Sequence, residues 1–312
     1  MRRLGAVTLV LVGGAMALGA CGVAPDGSDS PGAPIVRGEE APSAAEEEAA
    51  EEPAGFPEVP PVVLTLADGE VPLRPWTFCL EGGCADGMRP EDPYDVGSPG
   101  SVEFSFERAG WEFEATFTDD RDADCPRAVT TEAEATSPTT FRLEPAGPAG
   151  AWTVDLFGRK DGEGDVVVSF DWTTPVDGTM PDAATGVAAV LADHDGALDS
   201  YGVEVSVRDL AFTPAETVAT MTVTSAVGEA VVIDLAALGD GCIGAGALYL
   251  TASPDEGRRA TLIGDGPFTY RVDLVLDGVP YVGVGTWPDG VVPELEPFVP
   301  LTWTPELPVY RG

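Results

Sequence analysis

From Val62 onward, apolar and polar residues alternate in short runs with a period of two. Ser101-Val-Glu-Phe-Ser-Phe-Glu107 puts Val102, Phe104 and Phe106 on one face. Trp111-Glu-Phe-Glu-Ala-Thr-Phe117 does the same with Trp111, Phe113, Ala115 and Phe117. Successive side chains of a strand point to opposite faces, so this alternation is the mark of a half-buried strand. Arg108-Ala109-Gly110 between the two runs is hairpin-sized, with Gly110 available for positive φ. The pattern predicts strands over 62–66, 76–80, 101–107, 111–117, 139–143, 152–157 and 166–172, separated by Gly, Pro and Asp. No helical 3.6-residue pattern of useful length competes, and about seven short strands with turn signals predict an antiparallel β-sandwich.

The second half repeats the texture, with strands predicted over 187–191, 203–210, 217–225, 230–235, 247–251, 259–263, 268–276, 281–285 and 299–304. Landmarks recur in order. Gly110 to Cys125 is 15 residues and Gly228 to Cys242 is 14; Cys125 to Val154 is 29 and Cys242 to Val272 is 30. Trp152-Thr-Val-Asp-Leu156 echoes Tyr270-Arg-Val-Asp-Leu274, and Phe170-Asp-Trp172-Thr-Thr-Pro175 echoes Leu301-Thr-Trp303-Thr-Pro305. These echoes predict a diverged tandem repeat. The expectation is an all-β chain of two tandem immunoglobulin-like antiparallel β-sandwiches, 58–176 and 182–312, following a disordered N-terminal tether. The second unit carries a Pro-rich insertion over 286–297, and Trp287 within it is the candidate for an exposed ligand contact. The other tryptophans lie in alternating strands, where core packing is the default.

The N-terminus differs from both units. Arg2 and Arg3 precede an apolar run from Leu4 to Ala20 that ends in small residues at Cys21, the layout of a secretory signal over 1–20. Leu18-Gly19-Ala20-Cys21 resembles the lipobox of bacterial lipoproteins. The resemblance implies that Cys21 becomes the first mature residue and carries the lipid, with a diacylglycerol and a further acyl chain such as palmitate holding the protein to the cell membrane. Residues 21–57 follow as a Pro/Ala/Glu segment in which no aromatic occurs before Phe56. Such composition cannot bury enough apolar area to offset ordering entropy, and a tether of this length spans about 33 Å root-mean-square. No later run approaches the ~20 apolar residues needed to cross a bilayer.

Charge narrows the partners. The chain carries 16 basic and 53 acidic residues, a formal charge of −37; without Arg2 and Arg3, 14 against 53 gives −39. That balance argues against nucleic acid and against electrostatic adhesion to an anionic membrane surface. It favours a solvated acidic surface.

Export predicts disulfides, and with Cys21 lipidated, Cys79, Cys84, Cys125 and Cys242 allow three connectivities. Cys79 and Cys84 enclose Leu80-Glu81-Gly82-Gly83, a loop flexible enough to join them, which leaves Cys125 for Cys242. A zinc site is the alternative, disfavoured by compartment and spacing. Pro75-Trp-Thr-Phe-Cys79-Leu-Glu-Gly-Gly-Cys84-Ala-Asp-Gly87 resembles uncharacterised exported lipoproteins of GC-rich bacteria, a resemblance that implies no activity.

Two acidic loops are calcium candidates: Asp119, Asp120, Asp122 and Asp124, and Asp193, Asp195 and Asp199. Calcium takes six to eight oxygen ligands, yet neither loop follows the twelve-residue calcium-loop layout. No cofactor is expected beyond that. His194 is the sole histidine, and no Gly-x-Ser-x-Gly elbow accompanies it. The residues therefore favour a non-catalytic binding or structural role at the cell surface, with an extracytoplasmic protein or glycan as ligand. The competing reading is a hydrolase of cell-envelope polymers that works through paired carboxylates.

Overall fold

The computed structural model describes residues 59–80, 83–119, 125–194, 197–238, 243–291 and 297–312. The signal, Cys21 and the tether, 1–57, lie outside the described residues. The chain from Pro57 to Gly312 forms one contact unit. Its described elements are strands whose sheets are antiparallel apart from the short β5, with one short helix.

The strands of the first part are β1 (Val62–Leu66), β2 (Gly69–Leu73), β3 (Thr77–Leu80), β4 (Gly83–Asp86), β5 (Tyr94–Asp95) and β6 (Val102–Ser105). They continue as β7 (Glu112–Asp119), β8 (Arg127–Glu132), β9 (Glu134–Ala135), β10 (Thr140–Leu143), β11 (Gly150–Lys160) and β12 (Gly164–Thr174). One sheet runs β2-β1-β6-β10-β9; the other runs β4-β3-β12-β11-β7-β8, with β5 added in parallel to β12. Inward rows of both sheets meet in a core that includes Leu64, Phe104, Phe106, Phe113, Phe117, Phe141, Trp152 and Trp172. The first part is thus a β-sandwich.

The alternation placed these side chains on the core face, yet the hairpin expected at 108–110 does not form. β6 pairs β1 and β10, whereas β7 pairs β8 and β11. Arg108-Ala109-Gly110 instead carries the chain from one sheet to the other. Phe104 and Phe113 still touch, edge to face at 5.1 Å, but across the core rather than along a ladder. Period two specifies a face; it does not specify the neighbour.

The second part holds β13 (Thr185–Ala189), β14 (Ala192–His194), β15 (Ala197–Asp199), β16 (Val203–Arg208), β17 (Thr217–Thr224), β18 (Ala230–Ala237) and β19 (Leu248–Ala252). Helix α1 (Pro254–Ala260) comes next, then β20 (Phe268–Leu276), β21 (Val279–Trp287), β22 (Val299–Pro300) and β23 (Thr302–Thr304). The strand path is β22-β13-β16-β19-β18-β17-β20-β21-β23. It closes on itself through two corners. β18 pairs β17 over 230–235 and β19 over 236–237, and Val299–Thr304 supplies β22 to one edge and β23 to the other. A second core fills the interior, with Met221, Ile233, Phe268, Tyr270, Leu274 and Trp303 among its members. Trp303 lies over two glycines, one on β13 and one on β21: a Cβ on Gly186 or Gly283 would sit 2.7 or 2.9 Å from its ring atoms.

A strand predicted over 259–263 is replaced by α1 and its end. Ser253 caps the helix by accepting from the Glu256 amide, Pro254 occupies the first turn, and Asp255 and Glu256 sit at the N-terminal end of the dipole. These local signals outweigh a weak alternation.

Strand order recurs between the two parts. β1-β6-β10-β9 and β12-β11-β7-β8 in the first match β13-β16-β19-β18 and β21-β20-β17-β18 in the second. The echo of Val154 and Val272 falls on equivalent central strands, β11 and β20. The other landmarks do not. Gly110 precedes β7 while Gly228 lies in the β17–β18 turn, and Trp172 is in β12 while Trp303 is in β23. Similar spacing along the chain therefore does not make Gly110 and Gly228 structurally equivalent.

Candidate functional site

The outward face of β12, β11, β7 and β8 gathers the polar chemistry of the first sandwich. Alternation directs Asp165, Ser169 and Asp171 outward from β12, Asp155, Phe157 and Arg159 from β11, Glu112 and Glu114 from β7, and Glu132 from β8. One end is tied into a network. The Trp76 indole donates to Ser169 Oγ at 2.9 Å, Ser169 donates to Asp155 Oδ1 at 2.6 Å, and Arg89 pairs with Asp155. A further bond runs from Thr153 Oγ1 to Asp171 at 2.8 Å. β3, β4 and β5 extend the same edge through β12.

Glu114 is the outlier on this face. It is 7 % exposed, and its Oε1 is buried without a hydrogen-bond partner. Burial pushes its carboxyl up to about 7; Arg159 and Arg208 oppose that shift, while Glu132, its cross-strand neighbour on β8, adds to it. Arg208 belongs to the second sandwich, so Glu114 feels the charge of the neighbouring core's rim. Beside it, an open depression of ≈540 Å³ is lined by Phe157, Arg159, Lys160, Glu163, Asp165 and Cys79. Lys160 pairs with Glu163 there.

The two sandwiches meet close by. Arg127 lies 4.0 Å from the Tyr310 ring centroid and donates from Nη1 to the Leu210 carbonyl at 3.0 Å. The Ala245 amide donates to Pro126 O at 3.0 Å; within the second part, Tyr310 N donates to Asp209 O at 2.8 Å and so fixes the segment that carries the Tyr310 ring. Gly246 sits at the centre with φ +76; a Cβ there would lie 2.4 Å from Leu210 O and 2.6 Å from Arg127 Nη1, so a side chain has no room. Burial also raises the Asp209 carboxyl, against the pull of Arg208 and Arg127.

The residues expected to matter are dispersed. Cys79 and Cys84 are joined by a disulfide at the β3–β4 hairpin. Cys125 is disulfide-bonded; Cys242 lies outside the described residues. So do Asp120, Asp122, Asp124 and Asp195. Asp119 ends β7, and Asp193 and Asp199 occupy the β14–β15 hairpin, where Asp199 accepts from the Ser200 amide at 2.7 Å. Among the described residues no group of three or more His, Cys, Asp or Glu is placed to hold a metal ion. His194 ends β14. Among the described residues no helix is long and apolar enough to cross a membrane.

Trp287 requires correction. Expected as an exposed contact in the 286–297 insertion, it is the last residue of β21, 7 % exposed, paired with Phe268 and packed on that ring at 6.0 Å. β21 runs further than the prolines around it suggested, and carries the indole into the core. The residues that pattern reading passed over are Glu114, Arg127 and Tyr310. Glu114 was legible as outward, but its burial depends on groups remote in sequence.

No family model and no curated protein matches the chain. Among solved structures, the crystal structure of the chicken CNTN1 FN1–FN3 domains matches at 12% identity, covering 70% of this chain and 86% of that one, with a TM-score of 0.17. At that score the likeness bears no weight, and the strand pairings alone define the fold.

Proposed function

We propose that this chain is a membrane-anchored extracytoplasmic lipoprotein that presents two tandem immunoglobulin-like sandwiches, and that it acts as a non-catalytic binding or structural protein at the cell surface. The recurring strand order carries the architectural half of this reading: β1-β6-β10-β9 facing β12-β11-β7-β8 follows the A-B-E-D and G-F-C arrangement of immunoglobulin-type units, with an added C′-like strand. Leu18-Gly19-Ala20-Cys21 carries the anchoring half, with lipid on Cys21 and residues 22–57 as spacer. The second disulfide is read as Cys125–Cys242, supported by the bond from Ala245 to Pro126 that brings the two flanking segments together. Loops at the ends of the sandwiches are the surfaces for an extracytoplasmic protein or glycan.

Replacing Cys21 with serine tests the anchor: the variant is expected to leave the membrane fraction with its fold intact by circular dichroism. Persistent membrane association would overturn it.

One observation favours the competing hydrolase reading. Glu114, its carboxyl raised by burial, stands opposite Glu132, and a raised-pKa acid beside a second carboxylate is the pairing that glycosidases use. The geometry weighs against it, because a general acid must reach its substrate and Glu114 Oε1 is sealed from solvent. Hydrolysis of a peptidoglycan or glycan substrate that disappears in Glu114→Gln and Glu132→Gln would reinstate the enzyme.

A further inference from the structure

The second sandwich has a face equivalent to the acidic one just described, and its chemistry is different. Alternation directs Val232, Asp234 and Ala236 outward from β18, Val218, Thr220, Thr222 and Thr224 from β17, Thr269, Arg271, Asp273 and Val275 from β20, and Val282, Val284 and Thr286 from β21. Thr302 and Thr304 continue the face on β23. Cross-strand register aligns Val232, Thr222, Arg271, Val284 and Thr302 in one row. Val218, Val232 and Val284 are 53 %, 60 % and 40 % exposed. The charges on the face are Asp234, Asp273 and Arg271, and Arg271 is bonded to Asp273 at 2.6 and 2.9 Å. The corresponding face of the first sandwich carries Asp155, Asp165, Asp171, Glu112, Glu114 and Glu132 against Arg159.

We propose that this Val/Thr face is the docking surface for a second copy of the chain. Charge selects that occupant. Two copies of a protein carrying −37 repel wherever acidic surfaces approach, and least where the surface is close to neutral. A cationic partner would instead settle on the acidic faces. The face is also self-complementary. A two-fold axis apposes the same patch on both copies, and with β20 antiparallel to its counterpart each Arg271 comes near the other's Asp273. Five strands at ~4.8 Å spacing and ~3.3 Å per residue give a footprint of about 600 Å². A standard interface buries about 800 Å² per partner, so the dimer is weak and tightens when copies are held close together. This inference does not rest on the lipid anchor.

The experiment is sedimentation equilibrium of the full chain in about 0.1 M and about 1 M salt, where the screening length falls from about 10 Å to about 3 Å. Self-docking by a near-neutral face of an acidic protein predicts a dimer whose dissociation constant drops at least about tenfold at the higher salt, as long-range repulsion is screened. The double variant Val232→Glu, Val284→Glu is expected to raise that constant at least about tenfold with the monomer still folded by circular dichroism. A monomer at both salts overturns the proposal. A dimer indifferent to the double variant also overturns it, since association would then run through another segment. Loss of cell-envelope retention by the double variant, with the parent protein monomeric, would assign the face to an unlike partner and overturn self-docking.

Discussion

The first sandwich packs a dense aromatic core: Phe104, Phe106, Phe113, Phe117 and Phe141 with Trp111, Trp152 and Trp172, several ring pairs lying between 4.7 and 6.4 Å apart. The second fills the same strand order largely with Val, Leu and Ala, adding Phe268, Tyr270 and a few further rings. Their equivalent outward faces diverge as well. One bears six carboxylates and is tied down by Trp76 and Arg89; the other is threonine and valine with a single Arg–Asp pair. A similar strand order needs only inward apolar rows, so the outward rows are free to diverge, and that is where the two parts acquire different surfaces.

The comparison can be broken most forcefully at the cores. Phe104 is 1 % exposed and contacts both Phe113 and Phe141. Phe104→Ala is expected to cost about 3–5 kcal/mol, read as a lowered denaturant midpoint of fluorescence from the first sandwich. A change under about 1 kcal/mol would show that the aromatic cluster is not the stabilising core.

Next comes Glu114. Its folded carboxyl lies at about 7 against an ordinary 4.5, so the folded state holds the proton more tightly than the unfolded chain. Its contribution is most favourable at pH below the unfolded value, falls as pH rises toward 7, and is lost above it. Glu114→Gln should flatten this decline and stabilise the protein at pH 8 by on the order of 2–3 kcal/mol relative to wild type, measured by urea unfolding at pH 5 and pH 8. Parallel pH profiles for the two proteins would remove Glu114 as the cause.

The disulfide at the β3–β4 hairpin closes a loop with a sequence separation of 5. Loop-closure entropy assigns it about 2 kcal/mol, so Cys79→Ser with Cys84→Ser should lower stability by that order in calorimetry. An unchanged transition would show that the hairpin is held by its ladder alone.

The smallest effects contrast the two outward faces directly. Ser169→Ala interrupts the Trp76–Ser169–Asp155 network and is expected to cost about 1–3 kcal/mol, whereas Thr222→Ala on the open face should change stability by less than about 0.5 kcal/mol. Equal costs would mean that the second face is also structurally engaged.

Much of this was legible in the chain. Alternation identified Val102, Phe104 and Phe106 as one buried row and Trp111, Phe113, Ala115 and Phe117 as another, because burying one face of a strand demands apolar residues at every second position. The short loop between Cys79 and Cys84 indicated their bond, since chain length alone limits how far apart their sulfurs can lie. Local chemistry does not select partners. β6 and β7 look like a hairpin and belong to opposite sheets, and Gly110 and Gly228, matched by their spacing to a following cysteine, sit at different points of the strand order. Trp287 reads as a loop residue beside a proline and is core.

What the sequence by itself determined is the class of structure, the inward faces and the charge that limits the choice of partners. Each follows from residue type and from a period that acts over neighbouring positions. What only the tertiary structure decided is which strands meet, how the second sheet closes through 299–304, and that Glu114 is buried beneath the reach of Arg208. Those outcomes depend on groups brought together from distant parts of the chain, and desolvation of a carboxyl is a property of that assembled surrounding rather than of the residues beside it.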